Sequence, residues 1–304
     1  MRGIICLTRS VGDVVLGNVL VKNIKLQYPD IELDYIVEKK YEDLIRFNPN
    51  VKKVITIENT DKEFDTILKV ISSPEYNNVF FPQQTTLNDN SWHQTLQFGK
   101  SHLLNFYAKR CGIKILDYKL ELFVENELPI PVDFQNKRPN VWIHTTTLAD
   151  VKDWDRFGEL VFELKRLGIN VFQIGLPTDK IIADVKQLNY SLYDVIKLFQ
   201  QKECDLFIGL DSGLSYIVAA VGIPQICIMG ATIPETSAPY GDNVTILLSD
   251  NLKECREKRS NIRCHGISGG KCEFGSKCIN KIQVSQVVDK VKNILFKEEK
   301  SDDR

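Results

Sequence analysis

Short apolar segments alternate with longer helical patterns along almost the whole chain, and this alternation constrains the fold most strongly. In the first series, the predicted strands are Ile4–Thr8, Leu33–Ile36, Lys53–Ile57 and Asn78–Phe81. In the second series, they are Val141–His144, Val171–Ile174, Leu206–Ile208, Gln225–Met229 and Val244–Leu248. Helical patterns between the later strands cover residues 155–167, 179–187, 193–202 and 213–221. Two successive series predict an α/β protein with two doubly wound parallel sheets.

A polar, proline-containing stretch at 128–139 separates the two series and is the predicted linker. A chain of 304 residues is long enough for two domains that each bury a core. We therefore expect an N-terminal domain at 1–133 and a C-terminal domain at 134–304. The second domain includes a cysteine-rich segment at 255–278 and a predicted helix at about 282–297.

Charge and hydropathy argue against two classes of protein. The 39 Lys and Arg residues are balanced by 40 Asp and Glu residues, so no broad basic field is available to bind nucleic acid. The longest mostly apolar stretch, Ile217–Ala231, has about 15 residues and is too short to span a bilayer. The amino-terminal segment has no small-residue cleavage site before Gly12, which favours a first strand over a signal peptide. We expect a cytoplasmic protein.

The residues that follow each predicted strand are the candidate site residues, because ligands of open α/β sheets bind beyond the carboxyl ends of the strands. After the first strand, Gly12 permits a close approach of a ligand, and Asp13 lies in the first turn of the next helix. The helix dipole favours the ionised carboxylate, which makes Asp13 a candidate general base. A helix-capping role explains the same aspartate.

Hydroxyl groups follow the first strand of the second series. Thr145, Thr146 and Thr147 come directly after His144, and Lys152 follows a few residues later. Hydroxyls and an ammonium group in this arrangement are able to hold phosphate oxygens, with Lys152 as the point charge. An exposed loop with a solvated lysine explains the segment equally well.

The segment Gly209–Tyr216 is the most specific single signal in the chain. A predicted strand brings Asp211 to its carboxyl end, and Ser212 and Gly213 open a helix whose free N–H groups suit a diphosphate. Small residues further along this helix let it pack close to the sheet. A capped helix with a structural aspartate is the alternative interpretation.

Two blocks of the sequence resemble the heptosyltransferases of glycosyltransferase family 9. The first block is RSVGDVVLGNVLVKNIKLQYPDIELDYIVEKKYEDLIRFNPNVKKVI, with the R-x-x-G-D opening, a Tyr-Pro-Asp turn and a later Asn-Pro. The second is GLDSGLSYIVAAVGIPQICIMGATIPETSAPYG, which resembles the D-[ST]-G block of the family. Tyr216 stands where the family usually has a histidine. The order and spacing of the blocks match over most of residues 1–250.

The resemblance implies the GT-B fold, in which two Rossmann-like domains face each other across a cleft. It also implies an inverting, metal-independent glycosyl transfer from a nucleoside-diphosphate sugar, with ADP-heptose as the expected donor and no cofactor needed for catalysis. The acceptor is then expected on the side of the N-terminal domain, and the donor nucleotide is expected to bind the C-terminal domain. Asp13 is then the general base. The positions assigned to the donor are Gly12, Thr146, Thr147, Lys152, Gly175, Asp211, Ser212, Gly213 and Leu214.

The acceptor stays open between a cell-envelope glycan such as lipopolysaccharide core, a capsular glycan or other glycolipid, and a protein serine. For the glycan acceptors we expect peripheral contact with the inner membrane. The segments Trp92–Gln94 and Phe106–Arg110 mix aromatic and basic groups that suit a sugar acceptor, although a half-buried helix explains them as well. The alternative functions are a protein O-heptosyltransferase and a catalytically inactive GT-B protein that serves as a metal-binding interaction module.

Four clustered cysteines lie outside the general family pattern. They are Cys255, Cys264, Cys272 and Cys278. Their spacings are wider than the CxxC pairs of most tetrahedral sulfur sites. The intervening glycines would let the segment wrap around an ion, and the neighbouring basic residues favour the thiolate form of the cysteines. A structural zinc or iron site, disulfides and free thiols all stay open. The scattered Cys6, Cys111, Cys204 and Cys227 are predicted to act as small apolar residues.

Overall fold

The computed structural model describes residues 1–82, 101–125, 139–147, 149–230, 232–249 and 278–296, which contain two parallel sheets. The first sheet contains β1 (Arg2–Cys6), β2 (Glu32–Glu38), β3 (Val51–Ile57) and β4 (Asn78–Phe80), in the order β3-β2-β1-β4. The second contains β5 (Asn140–Ile143), β6 (Asn170–Ile174), β7 (Lys186–Leu188), β8 (Leu206–Leu210), β9 (Gln225–Met229) and β10 (Val244–Leu248), in the order β10-β9-β8-β5-β6-β7. All neighbouring strands are parallel.

Helices accompany both sheets. With the first sheet come α1 (Val11–Gln27), α2 (Phe64–Ile71) and α3 (Leu103–Arg110). With the second come α4 (Phe157–Arg166), α5 (Leu192–Gln200), α6 (Gly213–Val221), α7 (Pro234–Ser237) and α8 (Val284–Leu295). Short 3-10 segments cover Lys39–Leu44, Asp150–Lys152 and Cys278–Lys281. The parallel strands and their helical connections confirm the predicted pair of Rossmann-like sheets.

The central strands are apolar along their length because helices cover both of their faces. All five residues of β8 and of β9 are buried, and the side chain of Gln225 in β9 donates to the backbone oxygen of Ser215 at 3.0 Å. Helix α1 is buried from Val14 to Val21. Residues of α1 and α6 belong to one hydrophobic cluster, so the two halves of the molecule pack together through these helices.

The helix predicted at 179–187 is wrong. The side chain of Gln173 donates to the backbone oxygen of Lys180 and accepts from the backbone N–H of Ile182, which holds these groups outside a helix. Asp184 then adopts φ +60°, which a helix does not accommodate. The chain continues into β7, which pairs with β6. Sheet pairing therefore overrides the helical spacing of the apolar residues.

The other predicted segments agree with the structure or lie outside it. The C-terminal helix is confirmed as α8. The linker between the series and residues 255–277 lie outside the described residues, so the domain boundary at 133/134 stays a prediction. Among the helices that the structure describes, none is long and apolar enough to cross a membrane.

The scattered cysteines are placed as small apolar residues. Cys6, Cys204 and Cys227 are buried, and Cys111 is partly buried. Burial raises the pKa of the Cys6 thiol to about 12, and burial likewise raises the pKa of the Cys111 thiol to about 12. These two thiols therefore stay protonated at neutral pH and are poor nucleophiles.

Candidate active site

Asp13 lies in the first turn of α1, beyond the carboxyl end of β1. Ser10 caps this helix: its hydroxyl oxygen accepts from the Asp13 backbone N–H at 3.3 Å, and the hydroxyl donates to Asp13 Oδ2 at 2.8 Å. The phenol of Tyr107 in α3 donates to Asp13 Oδ1 at 3.0 Å. Hydroxyl donors from two different segments thus hold the two carboxylate oxygens.

The amino-terminal ends of α1 and α6 lie directly against each other. A Cβ added to Gly213 would come within 2.4 Å of Val11 Cβ and 3.3 Å of the Gly12 backbone nitrogen. A Cβ added to Gly12 would come within 3.0 Å of the Tyr216 ring. Both glycines are therefore required by the close approach of the two helices. This contact brings Asp13 close to the first turn of α6.

Tyr216, at the position where a histidine was expected, connects α6 to both halves of the molecule. Its hydroxyl donates to the backbone oxygen of Ser237 at 3.1 Å and lies 3.3 Å from Nε2 of His102. Burial raises the pKa of the Tyr216 phenol well above its ordinary value, and the negative charges of Asp211 and Asp13 raise this pKa further. Tyr216 therefore stays a neutral hydroxyl.

Lys152 and Asp211 form an ion pair at the carboxyl end of β8. Lys152 Nζ lies 2.8 Å from Asp211 Oδ2, and the hydroxyl of Thr232 donates to the same oxygen at 2.6 Å. Asp211 is buried, whereas the Lys152 side chain keeps 21% of its surface exposed. The structure therefore joins two segments that the sequence presented separately, and the lysine side chain remains partly exposed to solvent.

The hydroxyls of Thr146 and Thr147 both have hydrogen-bond partners within the protein. Thr147 donates to Asp153 Oδ1 through its backbone N–H at 2.8 Å and through its hydroxyl at 2.9 Å. The hydroxyl oxygen of Thr146 accepts from the Lys180 backbone N–H at 2.8 Å. These contacts fix the loop beside β5, and the role of both threonines in binding the donor stays a prediction.

Ser212, His144 and Asp179 form a chain of polar contacts beside this loop. Ser212 Oγ lies 3.2 Å from His144 Nδ1, and His144 Nε2 lies 3.5 Å from Asp179 Oδ2. A Cβ on Gly175 would come within 2.1 Å of the same Asp179 oxygen, so glycine makes room for this carboxylate. The structure thereby explains Gly175, and it places Leu214 in the first turn of α6.

Four residues of this region were missed as site residues by sequence reasoning. Asp179 was placed in a predicted helix, His144 was assigned to the end of a strand, and Tyr107 was grouped with acceptor-facing residues. Thr232 was quoted only as part of a family block. Their position after a strand could have identified three of them, because ligands of parallel sheets bind beyond the carboxyl ends of the strands. His144 directly follows β5, and Asp179 and Thr232 lie shortly after β6 and β9.

The remaining predicted segments lie partly outside the described residues. Trp92–Gln94 are among these, and so are Cys255, Cys264 and Cys272. Cys278 begins a 3-10 segment. Within the described ranges, no three His, Cys, Asp or Glu residues are grouped so that they could hold a metal ion. Phe106–Arg110 is part of α3, with Tyr107 buried and Lys109 exposed, which is the half-buried helix of the alternative interpretation.

Comparison with known proteins supports the resemblance to the heptosyltransferases. The profile of the family described as glycosyltransferase family 9 (heptosyltransferase) matches residues 119–265. Over these residues the chain is similar to glycosyltransferase family 9. A curated relative is lipopolysaccharide heptosyltransferase 1 of Campylobacter coli, which is 20% identical over 343 aligned positions that cover 94% of this chain and 96% of the relative. The protein is therefore a glycosyltransferase.

Two solved structures share the fold of this glycosyltransferase. The Escherichia coli heptosyltransferase WaaC with ADP is 18% identical, with a TM-score of 0.66 over 96% of this chain and 99% of that one. The iron-containing dodecameric glycosyltransferase TibC of enterotoxigenic E. coli is 18% identical, with a TM-score of 0.70 over 96% of this chain and 75% of that one. These similarities confirm the predicted GT-B fold.

Proposed function

We propose that the protein is an inverting heptosyltransferase that moves heptose from ADP-heptose to the core of lipopolysaccharide. The single observation that carries this proposal is the placement of Asp13, whose carboxylate is held by Ser10 and Tyr107 where α1 meets α6. The names of the relatives support the transferred sugar and the acceptor, and the ADP complex of WaaC supports the nucleotide.

Asp13 acts as the general base of the transfer. Its carboxylate takes the proton of an acceptor hydroxyl while that oxygen forms a bond to the anomeric carbon of the heptose. The bond between the anomeric carbon and the diphosphate breaks on the opposite face, and its electron pair leaves with ADP. A single displacement of this kind inverts the configuration at the anomeric carbon.

Charge that develops on the departing diphosphate is stabilised by groups of the C-terminal sheet. Lys152 supplies a positive charge, and the first N–H groups of α6, beginning at Gly213, point their partial positive charge toward the same edge. Asp211 holds Lys152 in place before the donor binds. Because these charges are fixed by the fold, we propose that the chemical step requires no metal ion.

The cysteine-rich segment has a structural role in this proposal. Cys255, Cys264, Cys272 and Cys278 would bind one zinc or iron ion, and the iron content of TibC supports this choice of metal. We place the protein in the cytoplasm, in peripheral contact with the inner membrane where a lipopolysaccharide acceptor is assembled.

An assay of ADP release tests the proposed function. With ADP-heptose as donor and heptose-free lipopolysaccharide as acceptor, the wild-type protein should release ADP and add heptose to the acceptor. Asp13→Asn should lower kcat by about 10²–10⁴-fold, because a general base typically contributes that much. The variant should still bind ADP, as shown by a raised melting temperature.

A matched control is Asp30→Asn, which changes an exposed aspartate in the turn after α1. This control should keep wild-type turnover. Near-normal turnover of Asp13→Asn would refute the assignment of the base. Heptose found on a protein in a lysate, and never on the lipopolysaccharide, would refute the proposed acceptor.

A further inference from the structure

Tyr107 is a buried residue whose hydroxyl reaches the carboxylate of Asp13. The two residues are 94 positions apart, and the phenol donates to Oδ1 at 3.0 Å while Ser10 donates to Oδ2 at 2.8 Å. Tyr107 has no solvent-exposed surface. A buried tyrosine hydroxyl usually has a hydrogen-bond partner, and here the partner is the proposed base.

Two donors on different oxygens restrict the rotation of a carboxylate about its Cβ–Cγ bond. With one lone pair of each oxygen engaged, the remaining lone pairs of Asp13 keep a fixed direction. A base that must accept a proton from a bound hydroxyl gains from such orientation, because small misplacements of a reacting group cost large factors in rate.

Helix α3, which carries Tyr107, is anchored to the C-terminal half of the molecule through His102. The backbone N–H of Leu104 donates to His102 Nδ1 at 3.2 Å, so Nδ1 is an acceptor and Nε2 carries the proton. His102 Nε2 then donates to the backbone oxygen of Ala238 at 3.1 Å. The ring of Tyr240 packs edge-on against the imidazole, with 5.1 Å between ring centroids. The cap of α3 is therefore also a contact between the two halves.

We infer that Tyr107 is a positioning residue for Asp13, and that His102 ties this positioning to the packing of the C-terminal half against α3. The inference rests on the proposed function, in which Asp13 is the base. It assigns Tyr107 a role that is independent of its packing, since the aromatic ring alone would fill the same space.

Tyr107→Phe tests the inference, because it removes the hydroxyl and keeps the ring. With ADP-heptose and heptose-free lipopolysaccharide, we expect kcat to fall by about tenfold or more, as for the loss of a hydrogen bond to a charged group. The KM values for donor and acceptor should stay within about twofold, because ground-state binding does not involve this bond. Hydrolysis of ADP-heptose without acceptor should fall by the same factor, since Asp13 would also activate water.

The matched control is Tyr118→Phe. Tyr118 is 49% exposed, and its hydroxyl donates to Asn105 Oδ1, also on α3, at 2.9 Å. Tyr118 follows α3 in the chain, so this variant removes a tyrosine hydroxyl that contacts the same helix without touching Asp13, and it should keep the wild-type kcat. An equal loss in both variants would show that α3 is merely destabilised and would overturn the inference.

A double variant separates this inference from the proposed function. If Tyr107 acts through Asp13, adding Tyr107→Phe to Asp13→Asn should cause no further loss of turnover. A full additional loss would overturn the positioning role. If Asp13→Asn itself keeps normal turnover, the assignment of the base fails instead.

His102→Asn tests the link to the C-terminal half. Asparagine is a good helix cap, so α3 keeps its first turn while the bond to Ala238 is lost. We expect kcat to fall severalfold at unchanged KM, and we expect the effect to be less than additive with Tyr107→Phe. A wild-type kcat in His102→Asn would overturn the link.

Discussion

The ammonium group of Lys152 lies 2.8 Å from Oδ2 of Asp211, although the two residues are 59 positions apart. In the proposed function a diphosphate shares this ammonium with Asp211, so we expect Lys152→Ala to weaken ADP binding by about tenfold or more and to reduce its dependence on salt. Asp211→Asn removes the competing charge and should bind ADP at least as tightly as the wild type. Isothermal titration at two salt concentrations measures both effects.

The control for this prediction is Lys52→Ala, which breaks an exposed ion pair with Glu32 near the amino end of β3. Ligands of parallel sheets bind at the opposite edge, so this variant should keep wild-type affinity for ADP. Equal losses of affinity in Lys52→Ala and Lys152→Ala would remove Lys152 from the site.

Gly213→Ala should reduce activity by separating α1 from α6. The added Cβ would lie 2.4 Å from Val11 Cβ, so one helix must shift, at a cost of about 1–3 kcal/mol in the free energy of unfolding. The shift moves Asp13 away from α6 and should lower kcat. Urea unfolding and the ADP-release assay measure the two effects.

Gly158→Ala is the matched control for Gly213→Ala. Gly158 lies in the first turn of α4, and its added Cβ would have no neighbour within 4 Å. This change should leave kcat unchanged and stabilise the protein by about 0.4–1 kcal/mol. Unchanged kcat in Gly213→Ala would show that the tight contact of the two helices is not needed for turnover.

His102 should make the stability of the protein depend on pH. Burial lowers the pKa of His102 below 6.5, and its bond to the Ala238 carbonyl opposes this shift only in part. As the pH falls, the imidazole is therefore protonated in the unfolded chain before it is protonated in the folded protein. The stabilisation of the folded protein by neutral His102 is complete above about pH 6.5 and is lost as the pH falls toward the lower folded-state pKa. His102→Asn should weaken this dependence, measured as melting temperatures at about pH 7.5 and about pH 5.5. Parallel pH curves for both proteins would contradict the prediction.

Ser212 and His144 should act together in binding the nucleotide. Because His144 Nδ1 lies 3.2 Å from Ser212 Oγ, the imidazole fixes the direction of this hydroxyl at the start of α6. Ser212→Ala and His144→Ala should each weaken ADP binding, and the double variant should lose less than the sum of the two, with a coupling of about 0.5–3 kcal/mol. Strictly additive losses of affinity would show that the two side chains act separately.

The cysteine-rich segment should carry metal in the purified protein. Elemental analysis should find close to one equivalent of zinc or iron, and Cys264→Ser should lower this content, whereas Cys111→Ser should not. Cys111 is suited as a control because it is one of the scattered, partly buried cysteines. Less than about a tenth of an equivalent, together with titratable thiols in the segment, would exclude the site.

The sequence predicted the strands well because their apolar runs are long and bounded by turns. Gln225–Met229 and Val244–Leu248 coincide with β9 and β10 to the residue. Helix α6 was also predicted correctly, because Gly213 and Gly222 mark its ends, and Gly222 adopts the left-handed conformation typical of a helix terminus. Local signals of this kind require no knowledge of the tertiary structure.

The parts that could not be predicted depend on contacts between distant segments. The helix predicted at 179–187 does not form, because the side chain of Gln173 on β6 bonds the Lys180 carbonyl and the Ile182 N–H, which a helix would use. Likewise, nothing local in the sequence pairs Tyr107 with Asp13 or Lys152 with Asp211. Single candidate residues can be chosen from the sequence. Their partners are known only from the tertiary structure, in which α3 brings Tyr107 to Asp13 and the carboxyl end of β8 brings Asp211 to Lys152.

The backbone of Ser10 adopts φ +62° and ψ 143°, a conformation that glycine accepts and that costs other residues about 1–3 kcal/mol. Glycine at this position would relieve the cost but would also remove the hydroxyl that donates to Asp13. Ser10 is thus a point where thermostability and turnover conflict. A library screened for heat resistance should enrich Ser10→Gly, and the same library screened for heptose transfer should lose it.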